Sequence, residues 1–314
     1  MKKWVVDKLI CPQCLNEEVP LDLTVHETEA DDIKDGEMNC PRCGGNYPIQ
    51  QGIAVLLPEA TRDILSDQRG YNAPGMLSAY LWSHFGDLLN EPDATKAYQV
   101  WSAGFKPTSG DALDVGCAVG RLSFELAATH DHVIGLDTSI AFIRKAREIL
   151  MSKQTSFDLI VEGHLTEPRR YRFDESRDFS RVDFIVADAL ALPFRERAFA
   201  TTAAINLLEK VPDPLKHLTE INRVLQDRSA MFLFSDPFSW DEAVSPPERW
   251  LSGNGNAQYS ARGIDTMRRV FAGEFGVFNP PLTIADDGNV AWKIRKTENL
   301  WEHITSQYLI GRRE

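Results

Sequence analysis

The chain has 314 residues, of which 43% are hydrophobic and 25% are charged, and its formal net charge is −12. This length predicts two domains, and because no run of about eighteen apolar residues occurs, we expect no membrane-spanning helix. The acidic balance disfavours nucleic acid as a partner, since phosphate contacts need clustered Lys and Arg. Asp7 and Lys8 interrupt the short apolar stretch near the start, so we expect a cytoplasmic protein.

Four cysteines near the start of the chain form two C-x2-C pairs. Cys11 and Cys14 are the first pair, and Cys40 and Cys43 are the second. Each pair supplies two sulfurs from one tight turn, which suits a tetrahedral zinc ion, and four sulfurs leave no position for a reactive water. We therefore predict a zinc-ribbon domain over residues 1–60 that holds a structural Zn²⁺. Unligated thiols, or disulfides in a secreted protein, are the alternatives.

Residues 61–110 are predicted to form a helical connector between the ribbon and a larger domain. Its helical stretches are broken at Pro74, Pro92 and Pro107, and one of them contains YLWSHFGDLL, which starts at Tyr80 and resembles the entry helix of a methyltransferase family named below. Tyr80 and His84 on this helix are candidates for the acceptor side of an active site. Core packing is the alternative for both side chains.

The stretch ALDVGCAVGRLSFEL, from Ala112 to Leu126, predicts an apolar strand, a glycine-flanked loop and an amphipathic helix. Glycines in the loop let the backbone turn tightly and approach a ligand closely, although close packing alone also explains them. Ala118 stands where the dinucleotide motif G-x-G-x-x-G has its middle glycine, which disfavours pyrophosphate recognition. The cofactor contacts predicted here are Asp114, Gly116, Cys117, Ala118, Gly120 and Arg121.

Three further apolar runs predict strands whose carboxyl ends meet at one edge of a doubly wound sheet. The first ends at Asp137, about twenty residues past the loop, where a carboxylate can accept hydrogen bonds from both ribose hydroxyls. The second ends at Asp188, which is placed to accept an adenine amino proton, and the third ends near Asn206. The cofactor contacts predicted at these strand ends are Asp137, Thr138, Ser139, Asp188, Ala189, Asn206 and Leu207.

From about Asp111 to Arg269 the motifs together resemble a class I S-adenosylmethionine-dependent methyltransferase. The resemblance implies an α/β fold with a doubly wound, seven-stranded Rossmann-like sheet over residues 111–314, a lid at about 238–263 and a closing antiparallel strand pair. The ribbon is similar to the small zinc-ribbon proteins that activate tRNA and protein methyltransferases. The cofactor implied is S-adenosyl-L-methionine.

A closer resemblance is to the methyltransferase domain of ovothiol biosynthesis, a mercaptohistidine N-methyltransferase. The stretches GLDTSIAFI, NLLEKVPDP and SDPFSW followed by RWLSG carry it. This chain departs from that family at Phe85, where the family has a tyrosine, and at Glu209 and Lys210, where the family has an aspartate-arginine pair.

These resemblances imply N-methylation of a small-molecule acceptor, either an imidazole or an amino-acid derivative. Methyl transfer is an in-line displacement, so the protein mainly has to position and desolvate the acceptor. A macromolecular methyltransferase that docks RNA or protein through the ribbon is the main alternative, and a non-catalytic partner that keeps the cofactor fold is another. The catalytic residues predicted are Tyr80, His84, Asn206 and Trp240, with Asp236 and Phe238 as further candidates beside the lid.

Overall fold

The structure is a computed structural model that describes residues 1–66, 70–106, 108–255 and 257–314. Residues 67–69 and 107 of the predicted connector and Asn256 of the predicted lid lie outside the described residues. The helices are α1 (Lys3–Val6), α2 (Pro74–Phe85), α3 (Ala97–Ser102), α4 (Arg121–Leu126), α5 (Ile140–Ser152), α6 (Pro214–Val224) and α7 (Gly263–Phe271). None of the helices in these ranges combines the length and apolar character needed to cross a membrane.

The strands alternate with these helices through most of the larger domain, as the sequence predicts for an α/β fold. They are β1 (Asp22–Glu29), β2 (Asp32–Asn39), β3 (Asn46–Gln50), β4 (Ile53–Leu56), β5 (Ala112–Val115), β6 (Val133–Asp137), β7 (Gln154–Glu162), β8 (Leu165–Arg172), β9 (Val182–Ala187), β10 (Thr201–Ile205), β11 (Ala230–Asp236), β12 (Thr283–Arg295) and β13 (Trp301–Arg313).

The main sheet has eleven strands, in the order β1-β2-β3-β4-β9-β6-β5-β10-β11-β13-β12. Strands β9, β6, β5, β10 and β11 run parallel, and β13 lies antiparallel between β11 and β12. Strand order reverses on the two sides of β5, which places a ligand crevice at the carboxyl ends of β5 and β10. The Rossmann-like α/β class predicted from the sequence is confirmed.

The predicted strand count of seven is wrong for the sheet as a whole. Seven strands form the doubly wound part, and the ribbon adds the other four of the eleven. The reason is that β4 of the ribbon pairs in parallel with β9, through Val55 with Val186 and Leu56 with Ala187. The ribbon and the larger domain therefore share one continuous hydrogen-bonded sheet.

A buried ionic network also joins the ribbon to the sheet. Arg147 on α5 donates to Asp32 on β2, with 3.2 Å between Nη2 and Oδ1, and to Asp183 on β9. All three side chains are buried, and the Lys2 backbone N–H donates to the other Asp183 oxygen at 2.6 Å. One guanidinium thus neutralises two carboxylates that belong to different parts of the sheet.

The hairpin of β7 and β8 forms a separate two-stranded sheet that supports α2. The Ser78 hydroxyl on α2 donates to the Asp158 carbonyl on β7 at 2.7 Å. Arg169 on β8 forms an ion pair with Glu91, with 2.5 Å between Nε and Oε1. These contacts fix α2, the helix that carries Tyr80 and His84, against the larger domain.

Replacing Arg147 with methionine is expected to lower the free energy of unfolding by about 3–5 kcal/mol, because Asp183 would stay buried without a cationic partner and Asp32 would keep only the Met1 ammonium, 3.8 Å away. The matched control is Arg144→Met, an exposed arginine on the same helix, which should change stability by less than about 0.5 kcal/mol. Urea unfolding followed by circular dichroism measures both. Equal stability of the two variants would contradict the importance of the network.

Candidate active site

The four cysteines of the ribbon lie together, with all four sulfur atoms within 4.8 Å of one another. Cys11 and Cys43 are 3.6 Å apart between sulfurs, and Cys14 and Cys40 are 4.0 Å apart. A tetrahedron with Zn–S bonds of about 2.3 Å has sulfurs about 3.8 Å apart, so this geometry fits zinc. The predicted structural zinc site is therefore consistent with the positions of all four ligands.

Zinc content is expected to depend on the cluster cysteines alone. Cys40→Ser should lower the zinc bound per chain severely, because a structural site needs all four sulfurs. Cys117→Ser is the matched control, since Cys117 lies in the loop after β5 and is not part of the cluster. Elemental analysis of the purified variants measures the metal, and equal zinc in both variants would contradict the site.

The loop between β5 and α4 turns through three residues with positive φ: Gly116 at 75°, Ala118 at 47° and Gly120 at 84°. A Cβ on Gly120 would lie 2.5 Å from the Phe184 ring, so this glycine allows α4 to pack closely on β9. Ala118, unlike the two glycines, has a Cβ, so its positive φ is strained. Its backbone N–H donates to Asp137 Oδ2 at 3.0 Å.

Asp137 ties this loop to the end of β6. Its second oxygen, Oδ1, accepts the Ser139 backbone N–H at 2.8 Å. Desolvation raises the pKa of Asp137 to about 6, although these amide hydrogen bonds favour the ionised form. The carboxylate therefore stands at the tip of β6 as the sequence predicts, with its orientation fixed by two backbone amides.

A cavity opens at the carboxyl ends of β5, β6 and β10, at the crevice that the strand order defines. Ten of the residues predicted from the sequence line it, namely Tyr80, His84, Asp114, Gly116, Cys117, Ala118, Asp137, Thr138, Asn206 and Leu207. The structure adds seven more, Tyr71, Tyr98, Leu122, Phe142, Ile205, Lys210 and Trp292. We call this space the cofactor cavity.

Six other predicted residues are not part of its lining, namely Gly120, Arg121, Ser139, Asp188, Ala189 and Trp240. These residues make structural contacts elsewhere, and the Ala189 carbonyl lies 3.3 Å from Nδ1 of the buried His217. The Arg121 guanidinium binds Asp87 at 2.7 Å and Glu125 at 2.9 Å, and the Ser139 hydroxyl accepts the Phe142 N–H as the cap of α5. Asp188 accepts the Leu190 N–H at 2.8 Å.

Trp240 lies inside the lid region instead of at the cavity. Its ring stacks on Trp250, with centroids 6.1 Å apart and an interplanar angle of 11°. Its indole N–H donates to the Ser252 hydroxyl at 2.6 Å. Phe238 packs on Gly263, so both aromatics pack within the segment that the sequence predicts to be a lid.

Asp114 is the buried carboxylate of the cofactor cavity, with 3% of its surface exposed. The Ser123 hydroxyl donates to it at 2.7 Å, and burial raises its pKa to about 7. The charge of Asp137 raises that pKa further, since both carboxylates face the same space. This wall is suited to a ligand that brings positive charge and hydroxyl donors, as S-adenosylmethionine does with its ammonium, sulfonium and ribose.

A second cavity of about 680 Å³ adjoins the first and is lined in part by β12 and β13. Met76, Ile294 and Ile304 are among its apolar residues, and Glu209 and Glu302 supply carboxylates. We call it the acceptor cavity. The residues that line both cavities are Tyr71, Tyr80, Asn206, Lys210 and Trp292.

Asn206 at this junction is held in a strained conformation, with φ of 54°. Its Oδ1 accepts the Ser306 hydroxyl at 2.7 Å, whereas its Nδ2 has no hydrogen-bond partner in the part of the chain that the structure describes. Ser306 is fully buried on β13, so the orientation of Asn206 depends on a strand about one hundred residues away. Sequence reasoning missed Ser306 because no local motif links it to Asn206.

Glu209 and Lys210 form an ion pair at the wall of the acceptor cavity, with 2.9 Å between Oε1 and Nζ. Glu209 also accepts the Ser239 N–H, and Asp236 behind it accepts the N–H groups of Glu209 and Phe238. Burial raises the pKa of Glu209, and burial together with the Glu209 charge raises the pKa of Asp236 to about 8. Two buried carboxylates thus share one cationic neighbour.

Comparison with known families assigns both parts of the chain. Residues 113–233 match the family described as a methyltransferase domain, and residues 6–52 match the family described as Trm112p-like protein. The chain therefore combines a Trm112p-like domain with a methyltransferase domain. These matches confirm the prediction that the larger domain belongs to the S-adenosylmethionine-dependent methyltransferases. They also confirm that the ribbon resembles the methyltransferase activators.

Two of the individual curated proteins that match share less than 30% sequence identity with part of this chain. O-methyltransferase rstn1 of Aspergillus nomiae is 28% identical over 120 residues, which are 38% of this chain and 43% of that protein. Ajmaline N-methyltransferase of Rauvolfia serpentina is 23% identical over 167 residues, which are 53% of this chain and 49% of that protein. The chain thus spans about half the length of the curated relatives it matches.

A solved complex between the Haloferax volcanii Trm112 methyltransferase activator and a methyltransferase is also similar. Its sequence identity is 15% and its TM-score is 0.45, with 75% of this chain and 96% of that chain covered. Phosphoethanolamine N-methyltransferase 2 of Haemonchus contortus, in complex with S-adenosyl-L-methionine, has 17% identity and a TM-score of 0.44, with 72% and 45% covered.

Asp137→Ala is expected to weaken S-adenosylmethionine binding by about 1–3 kcal/mol, because a charged hydrogen-bonding partner of the ribose is lost. Asp131→Ala, in the exposed turn before β6, is the control and should leave the affinity unchanged. Isothermal titration calorimetry measures both. Unchanged affinity in Asp137→Ala would remove this residue from the site.

The affinity of the unmodified protein should also rise between about pH 5.5 and 7. Asp114 and Asp137, with pKa values of about 7 and about 6, lose their protons as the pH rises. The cofactor ammonium keeps its charge over this range, since the pKa of an α-amino group is about 8. The same titrations, repeated across this range, would contradict the assignment if the affinity were flat.

Proposed function

We propose that this protein transfers the methyl group of S-adenosylmethionine to a nitrogen of a small imidazole-bearing amino-acid derivative such as a mercaptohistidine. The observation that carries the proposal is the junction of the two cavities, which share five lining residues. A donor bound in one cavity and an acceptor bound in the other would meet at this junction. Holding two reactants in this way supplies much of the rate enhancement of a displacement reaction.

The cofactor cavity would hold S-adenosylmethionine through the two carboxylates on its wall. Asp137 would accept hydrogen bonds from the ribose hydroxyls, and Asp114 would bind the ammonium group. When bound, the cofactor supplies a methyl group attached to a positively charged sulfur. Gly116 and Ala118 let the loop backbone approach the ligand, because their side chains are absent or small.

The acceptor cavity matches a small amphipathic molecule. Its volume of about 680 Å³ is within the usual range for small-ligand sites. Trp292 and Ile294 offer apolar surface to an aromatic ring, whereas the ion pair of Glu209 and Lys210 offers a polar surface to the charged groups of an amino acid. The resemblance to mercaptohistidine N-methyltransferases supports the same acceptor class.

Glu209 is placed to take the proton that leaves the acceptor. The unprotonated nitrogen of the neutral imidazole would attack the methyl carbon, so that the N–CH₃ bond forms as the C–S bond breaks, and the methylated ring would then release the proton of its other nitrogen. The Glu209 side chain lines the acceptor cavity and is 3% exposed. Lys210 beside it stabilises the ionised carboxylate that must accept the proton.

The arrangement of the ribbon favours this proposal over docking of a macromolecule through the same edge. Strand β4 of the ribbon is already paired with β9, so this edge of the ribbon is occupied by the chain itself. The first sixty residues also carry an excess of acidic side chains, which repels RNA phosphates.

The test is methyl transfer from labelled S-adenosylmethionine to mercaptohistidine, with bulk RNA and bulk protein as competing acceptors. We expect a product that gains one methyl group on an imidazole nitrogen. Ile304→Trp should lower turnover by at least about tenfold while it preserves cofactor affinity, because the new ring fills the acceptor cavity. The control is Leu300→Trp, an exposed leucine near the turn of the same hairpin.

Two results would contradict the proposal. Labelling of RNA or protein alone would favour the macromolecular alternative. Failure of a folded protein to bind S-adenosylmethionine would favour the non-catalytic alternative.

A further inference from the structure

Besides Nδ2 of Asn206, two buried nitrogen atoms at the wall of the cofactor cavity have no hydrogen-bond partner among the described residues. They are Nδ1 of His84 and Nε1 of Trp292. Both residues line the cavity, and they are only 3% and 5% exposed. A buried polar group without a partner costs about 1–3 kcal/mol, so such atoms usually have a bound molecule as their partner.

The surroundings of His84 determine its protonation. Burial and the nearby charge of Arg121 lower the pKa of His84 to about 3, so its ring is neutral at physiological pH. The Tyr98 hydroxyl lies 2.9 Å from Nε2. When this hydroxyl donates to Nε2, the proton of the neutral ring is on Nδ1. His84 then presents an N–H donor, as the indole of Trp292 always does.

The Tyr98 hydroxyl that bonds His84 also faces Asp114, and burial together with the charge of Asp114 raises the pKa of Tyr98, so we place the methionine part of the cofactor beside these residues. The rings of His84 and Trp292 have centroids 6.3 Å apart, and Tyr80 contacts both of them. Asp137, at the end of β6, and Thr138 after it are the residues that the proposed function assigns to the ribose. Asp114, on the neighbouring strand β5, is the carboxylate that remains for the ammonium.

A methionine moiety also carries a carboxylate, which needs donors and not acceptors. The ammonium of Lys210 is already 2.9 Å from Glu209, and the Arg121 guanidinium is bound to Asp87 and Glu125. Neutral N–H donors at His84 and Trp292 can bind a carboxylate without adding positive charge close to the sulfonium.

We propose that His84 Nδ1 and Trp292 Nε1 donate hydrogen bonds to the methionine carboxylate of S-adenosylmethionine. This proposal rests on the proposed function for its assignment of the cofactor cavity. It places His84 on the cofactor side of the site, whereas the sequence predicted it on the acceptor side. Tyr98 is then a positioning residue, because it fixes the tautomer of His84 without touching the ligand carboxylate.

The experiment compares two ligands that differ only in this carboxylate, S-adenosylmethionine and decarboxylated S-adenosylmethionine. Trp292→Phe removes the N–H and keeps an aromatic ring, and His84→Phe removes the imidazole. Each variant should bind S-adenosylmethionine about 10- to 100-fold more weakly, as expected for loss of a hydrogen bond to a charged group. Each should bind the decarboxylated ligand within about twofold of the unmodified protein.

The matched controls are Trp4→Phe and His130→Phe, whose side chains do not line the cavity. Trp4 also has a buried indole N–H without a partner, so its variant tests the loss of such a group elsewhere. Both controls should preserve both affinities. Calorimetry gives each affinity without any methyl acceptor.

Equal weakening for both ligands, or no weakening for either, would overturn the proposal. Retained binding of the decarboxylated ligand shows that a variant is folded, and if His84→Phe does not fold, Trp292→Phe decides alone. Failure of the unmodified protein to bind either ligand would instead reject the cofactor assignment on which the proposed function stands.

Discussion

The cofactor cavity depends on the two hydrogen bonds that Asp137 accepts from the backbone of Ala118 and Ser139. Ala118 has a left-handed conformation that costs roughly 1–2 kcal/mol, and a hydrogen bond to a charged group returns about 1.5–3 kcal/mol. The bonds therefore offset the strain and join the glycine loop to the tip of β6. Without them, neither the loop nor the carboxylate would have a fixed position for a ligand.

The charges around the two cavities suit a reaction in which a cation binds and a proton leaves. Asp114 and Asp137 face the cofactor cavity, and desolvation by burial raises the pKa of both. A cationic ligand would restore the ionised forms, so binding energy is concentrated where the ligand charge lies. Glu209, with Asp236 behind it, gives the acceptor cavity its own buried carboxylates, and Lys210 prevents both from standing without a cationic neighbour.

The strands of the ribbon continue the main sheet of the larger domain. Its strand β4 covers the edge of β9, and an exposed edge strand would otherwise offer unpaired backbone groups to other chains. Arg147 adds a buried ionic contact across the same junction. Because β9 lies next to β6, which carries Asp137, the ribbon stabilises the side of the sheet that positions this carboxylate.

The sequence alone determined the zinc ligands, the α/β class and most of the carboxylate and loop residues of the cofactor cavity. These features depend on local spacing: cysteines two residues apart, a glycine loop after an apolar strand, and Asp137 at the end of the next strand. Only the tertiary structure decided the eleven-stranded sheet, the packing of Trp240 on Trp250 away from the cavity, and the positions of Lys210, Trp292 and Ser306 at the junction of the cavities. The physical reason is distance along the chain: β4 meets β9, and β12 and β13 meet the end of β10, through backbone pairing and packing that no local pattern encodes.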